Sequence, residues 1–420
     1  MKIVGIVAEY NPFHNGHLYH LEQAKALCSA DYTVCVMSGN FIQRGEPAIV
    51  DKWARAEMAL LSGADLVVEI PVVYAMSSAE YFAKGAVKIL DSMNIIDFLC
   101  FGSESGSIDL LDIIADILHT EPEEYKLNLK EALSRGLSFP AAREVGLRKY
   151  MNGKRGSTYN IDNIMNNSNN ILGIEYLKAL KKLKSSIIPV TVKRKNNFYN
   201  SEVIEGAISS ATSIRMLISK NPGKTSYELL KKVLPQQSLD ILTREFEKGK
   251  GPVFSSDFET TLLSILRRMT VHEVRGLPYV TEGLENRIKA VADNSGSLDE
   301  LVEGISTRRY TRTRIQRCIF SSLTGLKESE FENFNNYGGP QYIRILGFNK
   351  KGRQLISRIN KSATLPVIVK TADFKNSCNP LLSRMLEMEA AATDQYVLAL
   401  KNPNFRKSGH EFTSNIVRVN

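Results

Sequence analysis

The stretch IVGIVAEYNPFHNGH, residues 3–17, decides the fold. Its first six residues are apolar or small and predict a buried β-strand, whereas the residues from Gly16 onward have the spacing of a helix. Between the two, Pro12 cannot continue the hydrogen-bond ladder of a strand, and Asn11 and Asn15 favour turn and cap conformations. A strand that leads through a turn into a helix begins a β-α-β unit, so this stretch predicts a parallel sheet covered by helices.

The rest of the first hundred residues repeats this alternation of short apolar runs and helical patterns. Each apolar run is continuous rather than alternating, as in strands whose two faces are both covered by helices. We therefore predict an α/β fold, a Rossmann-like domain with a parallel sheet. The predicted strands are 2–9, 32–37, 65–70 and 97–101, and the predicted helices are 16–29, 52–62 and 79–92.

The chain is long enough for more than one domain, and we predict residues 1–220 as the catalytic domain and residues 221–420 as a second, mainly helical region with a small α+β end. An Asn-rich loop, 159–170, opens a helix at Ile171, and a strand at 187–193 is expected to complete the sheet, followed by a helix from Ala211. The other predicted helices are 108–118, 123–135, 139–150, 227–233, 258–269, 283–292 and 298–304.

The composition, 43% hydrophobic and 24% charged residues, is that of an ordinary soluble protein. No segment has the length and hydropathy of a membrane span, and the N-terminal apolar run is too short for a signal peptide, so a cytoplasmic protein without a membrane partner is expected. The five cysteines are widely spaced and form no C-x-x-C pair, which argues against a disulfide framework or a zinc knuckle.

The net charge of +9 is unevenly distributed along the chain. Residues 1–220 contain 24 basic and 24 acidic side chains, whereas residues 221–420 contain 30 and 21. A neutral catalytic half joined to a basic half indicates a polyanionic partner, with nucleic acid as the leading candidate. The alternative is a mildly basic solvated surface.

Two histidines, His14 and His17, follow the first strand at the place where open α/β sheets bind their ligands. They are three residues apart at the start of a helix and so lie on one face, where both rings can reach the α-phosphate of a nucleotide bound at the helix N-terminus. Gly16 between them lets a base or ribose approach the backbone. With His20 the run could instead be a metal site, although it lacks the spacing of zinc proteases.

A second motif, residues 208–215, precedes a helix and is rich in hydroxyl groups. Its hydroxyls can cap the helix, and Ser213 and Arg215 are predicted to hold a leaving pyrophosphate. Taken alone, the segment could be an ordinary helix cap. Nucleotidyl transfer requires mainly positioning and charge stabilisation, which His14, His17, Ser213 and Arg215 together would supply as the catalytic residues.

Together the two motifs resemble the histidine-signature nucleotidyltransferases. Within that superfamily the sequence resembles the bacterial tRNA(Met) cytidine acetate ligases over essentially its whole length. The resemblance is carried by the strings VAEYNPFHNGHLYH (7–20), MSG (37–39), QRGEP (43–47), KWAR (52–55), FGSE (101–104), NNILG (169–173), ISSATSIR (208–215) and RYTRTR (309–314).

This resemblance implies that ATP activates acetate as acetyl-adenylate and that the acetyl group is transferred to the wobble cytidine of elongator tRNA(Met), giving N4-acetylcytidine. Mg2+ is expected to accompany ATP, and no obligate protein partner is expected. Arg44, Lys52 or Arg55 could pair with acetate, but each could equally form a surface salt bridge. The implied ATP contacts are Val7, Ala8, Glu9, Tyr10, Asn11, Pro12, Phe13, His14, Asn15, Gly16, His17, Leu18, Tyr19, His20, Gly102, Asn169 and Arg194.

The segment 306–317 in the basic half interleaves five arginines with Tyr, Thr and Gln, which suits contacts with an RNA backbone and one stacked base. A basic solvated helix face is the alternative. Two other functions stay open: a small-molecule adenylyl- or cytidylyltransferase, and a non-catalytic RNA-binding protein with a nucleotide pocket. The predicted RNA contacts are Arg308, Arg309, Arg312, Arg314 and Arg317.

Overall fold

A computed structural model describes residues 1–155, 164–194, 209–220, 224–281, 283–374 and 377–420. Part of the predicted Asn-rich loop, residues 159–163, and Ile208 of the second motif lie outside the described residues. Along the described chain no helix has the length and apolarity needed to cross a membrane.

The strands form one large, mostly parallel sheet and one short hairpin. The large sheet has the order β10-β8-β5-β2-β1-β6-β7, with β9 paired to β8, and the hairpin joins β3 and β4. The strands are β1 Ile3–Ala8, β2 Tyr32–Ser38, β3 Phe41–Ile42, β4 Glu46–Pro47, β5 Leu66–Ile70, β6 Phe98–Ser103, β7 Ile188–Lys193, β8 Ile343–Phe348, β9 Val367–Ile368 and β10 Val417–Arg418.

The five strands β5, β2, β1, β6 and β7 are parallel to their neighbours and confirm the α/β prediction. In chain order their arrangement is 3-2-1-4-5, so the direction of winding reverses between β1 and β6. In doubly wound sheets the crevice at such a reversal, beyond the carboxyl ends of the strands, is where ligands bind. The carboxyl ends of β1 and β6, at Ala8 and Ser103, therefore lie where a ligand-binding site is expected in this fold.

Both faces of the sheet are buried, as the continuous apolar strands predict. In β2, Val34 and Val36 pack into one hydrophobic core, whereas Cys35 and Met37 pack into the other. These alternate side chains are fully buried, which explains why the strand contains no polar face.

Helices cover both faces and build the part of the molecule beyond the sheet. They are α1 Asn15–Cys28, α2 Lys52–Leu61, α3 Val72–Ala75, α4 Ala79–Ser92, α5 Ile108–Thr120, α6 Glu123–Ser134, α7 Phe139–Arg155, α8 Ser168–Leu183, α9 Ala211–Lys220, α10 Lys224–Val233, α11 Gln236–Glu247, α12 Glu259–Arg268, α13 Val271–Arg275, α14 Leu284–Asn294, α15 Leu298–Ile305, α16 Arg312–Thr324, α17 Glu328–Asn336, α18 Lys350–Ser362, α19 Pro380–Leu398 and α20 His410–Thr413.

One expectation about the sheet is wrong. Strand β7 does not complete it, because β8 pairs antiparallel with β5 on the opposite side and brings β9 and β10 with it. The sequence gives no local signal for this pairing, since β5 and β8 are separated by more than 270 residues. The division at residue 220 stays a prediction, and the sheet itself takes strands from both sides of that position.

A buried charge cluster joins the N-terminal sheet to the C-terminal helices. It consists of Lys52, Glu69, Arg344, Glu389 and Glu411, which come from α2, β5, β8, α19 and α20 and are all at most 5% exposed. Lys52 Nζ lies 2.6 Å from Glu69 and 3.2 Å from Glu389 and also contacts Glu411. Arg344 binds Glu69 at 2.9 Å and also contacts Glu411.

Candidate active site

A cavity of about 1410 Å3 opens at the carboxyl ends of β1 and β6, where the winding reverses. It is larger than the roughly 300–1,000 Å3 of most small-molecule pockets, so it has room for more than a nucleotide. Twelve of the predicted ATP contacts line it: Val7, Ala8, Glu9, Tyr10, His14, Gly16, His17, Tyr19, His20, Gly102, Asn169 and Arg194.

The two histidines of the first motif are held by the start of α1. His14 is the N-cap residue rather than part of the helix, and its Nδ1 accepts a hydrogen bond from Gly16 N at 3.0 Å. His17 Nδ1 accepts one from His14 N at 3.3 Å, and the two rings stack with centroids 3.7 Å apart. Because Nδ1 is the acceptor in both rings, the neutral tautomer of each carries its proton on Nε2.

Both imidazoles are kept neutral. Burial, with the positive charges of Arg194 and Arg215, lowers the pKa of His14 to about 3. Burial also lowers the pKa of His17 well below its usual value, and the neighbouring His14 and Arg194 add to this effect. At neutral pH the pair therefore offers two neutral Nε2–H donors instead of two cations, which suits charge that develops only as a reaction proceeds.

A layer of aromatic side chains beneath the histidines fixes the ring of His17. The Tyr10 ring meets His17 edge-on with centroids 5.0 Å apart, and Phe13 lies 5.7 Å from the same ring. Tyr10 is fully buried, its hydroxyl lies 3.3 Å from Cys35 Sγ, and its φ of 49° places its backbone in the left-handed region. Such a backbone conformation is costly for a tyrosine and is maintained by this surrounding packing.

Three more of the predicted ATP contacts, Gly102, Asn169 and Arg194, belong to other parts of the fold and line the same cavity as the histidines. Arg194 directly follows β7, its backbone N–H donates to Ser103 at 3.0 Å, and its side chain passes over Gly102. Asn169 lies in the first turn of α8 and donates through Nδ2 to Glu104 at 2.6 Å, which fixes its position in the wall. Arg194 is near enough to the first motif that its charge lowers the pKa values of His14, His17 and His20.

The second motif reaches the same cavity through the start of α9. Arg215 lines the wall and donates from Nη1 to the carbonyl of Asn11 at 3.0 Å, so the two motifs are in direct contact. Ser213 differs from the expectation: it is 6% exposed and lies behind the wall, with its hydroxyl 2.7 Å from that of Ser210. Ser210 also caps α9 by accepting from Ser213 N at 3.1 Å. The hydroxyl residues of the second motif that line the cavity are Ser209, Ser210 and Thr212.

Five residues of the predicted ATP-binding string support the wall without forming it. Asn11 accepts through Oδ1 from Ile49 N at 2.8 Å, and Asn15 donates to Lys232 O at 3.0 Å, so each of these two side chains fixes the turn from behind. The residues of the string that do not line the cavity are Asn11, Pro12, Phe13, Asn15 and Leu18.

Two of the three candidate acetate contacts are not available to a ligand. Lys52 is fully buried in the buried charge cluster. Arg55 is also fully buried, and it donates to the carbonyls of Glu9 at 2.6 Å and Ser38 at 3.1 Å and contacts Gly39. Neither lines the cavity, whereas Arg44 does. Sequence alone could not separate them, because all three lie in the same short stretch after β2.

The arginine segment divides between the surface and the cavity. Arg308 and Arg309 are exposed in the loop before α16, and Arg312 is bound on the outside to Asp299 at 2.8 Å. Arg314 donates to the carbonyl of Tyr279 and to Thr281, and Arg317 approaches the carbonyl of Gln43 at 3.5 Å. Arg309, Arg314 and Arg317 line the same cavity as the histidines.

Several lining residues carry no sequence signal that singles them out. Gln43, Tyr279, Glu328 and Phe331 belong to loops and helices that are far apart in the chain and meet only in the folded protein. Gln43 connects two parts of the cavity wall, since its N–H donates to the half-buried carboxylate of Glu9 at 2.9 Å. Burial raises the pKa of Glu9 despite this hydrogen bond.

The metal alternative for the histidine run has no support along the described chain. The one group of three possible metal ligands there within 4.8 Å of one another is Glu69, Glu389 and Glu411, and it excludes the histidines. Those carboxylates already bind Lys52 and Arg344, which satisfy the same oxygen atoms an ion would need.

The chain has the sheet order of a doubly wound fold, and its paired histidines lie in the cavity where the winding reverses. Together these features are those of a nucleotidyl transferase. Residues 1–411 match the family model described as HIGH Nucleotidyl Transferase. The chain is 56% identical over 417 residues to the tRNA(Met) cytidine acetate ligase of Acetivibrio thermocellus, covering 99% of this chain and 100% of that protein. The protein of the same name from Caldanaerobacter subterraneus subsp. tengcongensis is 46% identical, with 100% of both chains covered.

Solved structures agree with this assignment. The crystal structure of Thermotoga maritima TmcAL bound with alpha-thio ATP is 38% identical and superposes with a TM-score of 0.92, covering 100% of this chain and 99% of that one. The apo form of the same protein gives a TM-score of 0.95 at 38% identity, with 100% of both chains covered. The chain therefore belongs to the family of tRNA(Met) cytidine acetate ligases.

Proposed function

We propose that this chain uses ATP to activate acetate as acetyl-adenylate and then transfers the acetyl group to the wobble cytidine of elongator tRNA(Met), forming N4-acetylcytidine. One observation carries the proposal. The cavity that contains the paired histidines and Arg215 is also lined by Arg309, Arg314 and Arg317 of the basic segment. A nucleotide and an RNA base could thus meet in one cavity, as a two-step ligation requires.

In the first step an oxygen of acetate attacks the α-phosphorus of ATP, and the bond from that phosphorus to the pyrophosphate oxygen breaks. Negative charge develops on the phosphoryl oxygens and on the leaving pyrophosphate. The Nε2–H groups of His14 and His17 are suited to donate to the α-phosphate, and Arg194 and Arg215 supply positive charge on two sides. Fixed donors in a site shielded from water make large contributions to such reactions.

Mg2+ fits this site as an ion carried by the nucleotide. It usually binds through substrate phosphates, its own waters and few protein ligands. Ser210 and Thr212 could supply hydroxyl oxygens at the start of α9, and the nearby carboxylate of Glu46 lies 3.6 Å from Arg215. When bound, the ion supplies charge neutralisation of the departing pyrophosphate.

In the second step the cytidine N4 amine attacks the acetyl carbonyl carbon, and the bond to the AMP oxygen breaks with loss of one proton from the amine. For the RNA we propose phosphate contacts by the exposed Arg308 and by Arg309, which is exposed and also lines the cavity. Such contacts should make binding fall with salt by about 0.7 to 0.9 log units per log unit of salt for each phosphate neutralised.

A small-molecule adenylyl- or cytidylyltransferase would need only the nucleotide end of the cavity. It would leave the cavity-lining arginines of α16 without a ligand, and relatives with 46–56% identity are named tRNA(Met) cytidine acetate ligase. A non-catalytic RNA-binding protein would not need two stacked imidazoles whose Nδ1 atoms are both bound by the backbone.

Acetate-dependent exchange of labelled pyrophosphate into ATP, measured without tRNA, tests the first step. We expect exchange with acetate and none when acetate is omitted. Exchange that proceeds equally without acetate, or that appears only with a phosphate ester as co-substrate, would contradict the proposal and favour a small-molecule nucleotidyltransferase.

A further inference from the structure

One group of aromatic and charged side chains in the cavity wall comes from parts of the chain far from the paired histidines. We call it the aromatic end and define it by Tyr81, Tyr279, Arg317, Glu328 and Phe331, all of which line the cavity. These residues come from α4, the loop after α13, α16 and α17. None of them belongs to the two nucleotide motifs, so the reaction with ATP leaves this end without a role.

The aromatic rings at this end are fixed in position. The Phe331 ring lies 4.7 Å from Tyr81, edge-on, and 6.0 Å from Tyr279. The hydroxyl of Tyr279 accepts from Ser78 N at 3.0 Å, and its carbonyl accepts two hydrogen bonds from Arg314, at 3.1 and 2.8 Å. Tyr279 also has a φ of 67°, an unfavourable conformation for a tyrosine that these contacts maintain. Rigid aromatic surfaces of this kind bind flat rings by stacking.

Two polar groups at the aromatic end are incompletely satisfied. The Nε of Arg317 is buried without a hydrogen-bond partner along the described chain, and its Nη1 has only the 3.5 Å contact with Gln43 O. The Oε2 of Glu328 is likewise buried without a partner among the described residues. Buried donors and acceptors are nearly always paired in folded proteins, so this donor and acceptor indicate a ligand that offers the complementary groups.

Arg317 lies beside the Tyr279 ring, and the Glu328 carboxylate accepts a hydrogen bond from the Tyr279 backbone. The Arg317 guanidinium carbon is 5.5 Å from the ring centroid, and Glu328 is near enough for its charge to raise the pKa of Tyr279 while Arg317 lowers it. Burial is the largest cause of the raised Tyr279 pKa. The aromatic end therefore presents a stacking surface with a fixed hydrogen-bond donor and a fixed acceptor.

The same arginine connects this end to the nucleotide site and to the surface. Gln43, whose carbonyl Arg317 approaches, donates its N–H to Glu9 of the first motif at 2.9 Å. Arg317 also lies on α16, the helix that follows the loop with the exposed Arg308 and Arg309. Arg309 of that loop, the aromatic end and the paired histidines all line the same cavity.

We infer that the aromatic end binds the target cytosine of the RNA, turned out of its stack, with Arg317 donating to O2 or N3 and Glu328 accepting from the N4 amine. This inference rests on the proposed function and adds the source of base selectivity. Enzymes that modify bases take the base out of the stack and bind it by stacking and by hydrogen bonds to its pairing edge. A carboxylate accepting from N4 distinguishes cytosine from uracil, which has a carbonyl acceptor at that position.

The test compares two tRNA(Met) transcripts that differ only in having cytosine or uracil at the target position. Their affinities are measured by competition, and acetate-dependent pyrophosphate exchange is measured without RNA. The wild-type protein should prefer the cytosine transcript by about tenfold. Arg317→Gln and Glu328→Gln should each reduce this preference towards unity and slow acetyl transfer, while exchange stays at the wild-type rate.

Glu330→Gln is the matched control, because Glu330 lies on the same helix as Glu328 but binds Arg384 on the outside at 2.7 Å. It should keep the tenfold preference. If Arg317→Gln does not fold, Arg317→Lys is the second variant, because it retains the charge without the planar guanidinium. It too should lose the preference for cytosine.

An unchanged preference in a folded Arg317 or Glu328 variant would overturn the inference. So would loss of exchange or a raised KM for acetate in these variants, which would assign the aromatic end to acetate or ATP. Failure of the proposed function is distinct, since it would appear as absent acetate-dependent exchange in the wild-type protein.

Discussion

Arg215 donates from its Nη1 to the backbone carbonyl of Asn11 at 3.0 Å, across 204 positions of sequence. Its Nη2 lies 3.6 Å from the carboxylate of Glu46. The guanidinium thus joins the second motif to the turn that carries the histidines, and it remains on the cavity wall where a pyrophosphate would leave. One side chain both positions the site and supplies its charge.

Replacing Arg215 should therefore affect both roles. Arg215→Gln is expected to slow acetate-dependent pyrophosphate exchange by about 100-fold to 1,000-fold, the usual effect of removing a group that stabilises transition-state charge. Arg215→Lys should recover only part of the rate, because lysine cannot bind Asn11 and a phosphate through one planar fork. Initial rates at saturating ATP measure this, and a wild-type rate in Arg215→Gln would contradict the assigned role.

The imidazole of His14 can be separated from its capping role. His14→Asn retains a side-chain acceptor for Gly16 N, since asparagine is among the best N-cap residues, but it removes the ring. We expect exchange to fall by about 100-fold or more while thermal stability changes little. His14→Ala should show the same kinetic loss and in addition about 1 kcal/mol less stability, because the cap is lost. Equal activity of His14→Asn and wild type would show that the ring is not required.

The low pKa of His14 predicts how stability depends on pH. The folded-state pKa of about 3 lies below the usual 6.5, so the unfolded chain takes up a proton first as the pH falls. The stabilising contribution of neutral His14 is complete above pH 6.5 and is lost progressively from 6.5 towards 3, by about 2 kcal/mol at pH 5. Urea unfolding at several pH values should show this loss, and His14→Asn should be less sensitive to acid. Identical pH dependence of the two proteins would contradict the buried neutral ring.

The buried charge cluster predicts opposite behaviour for two glutamates. Burial and the nearby Glu69 raise the pKa of Glu389, so it takes up a proton more readily than a free carboxylate, and its contribution to stability falls as the pH rises above the usual 4.5. Glu389→Gln should therefore be tolerated and should remove this fall. Arg344 and Lys52 outweigh burial and lower the pKa of Glu411 to about 2, so Glu411 stays charged.

Glu411→Gln serves as the comparison. Removing this carboxylate leaves Lys52 and Arg344 without a partner for part of their charge, which should cost about 3–5 kcal/mol. Chemical denaturation of the two variants at pH 7 gives the comparison directly. The account is wrong if Glu389→Gln proves as destabilising as Glu411→Gln.

The sequence predicts the parallel sheet well because each strand is a continuous apolar run. The predicted strand at 187–193 and the observed Ile188–Lys193 differ by one residue, and the predicted helix at 79–92 is observed as Ala79–Ser92. The attachment of Ile343–Phe348 to the far side of the sheet could not be predicted, since it depends on pairing with a strand more than 270 residues away.

The site was predictable where a motif is local. His14 and His17 follow from a strand, a turn and a helix start. Ser213 is predicted to hold the pyrophosphate because it lies in a hydroxyl-rich cap, whereas in the structure its side chain is buried against Ser210. The burial of Lys52 and Arg55 depends on partners from distant elements, which no local pattern reveals.

The central claim is that acetate, ATP and tRNA react in one cavity. It is tested most directly by incubating the protein with ATP, isotopically labelled acetate and tRNA(Met), followed by mass spectrometry of the digested nucleosides. We predict labelled N4-acetylcytidine that requires both ATP and acetate and that forms about 100-fold more slowly, or slower still, with His14→Asn. Unmodified cytidine after incubation with an enzyme that is active in pyrophosphate exchange, or label in a small-molecule product instead, would contradict the account.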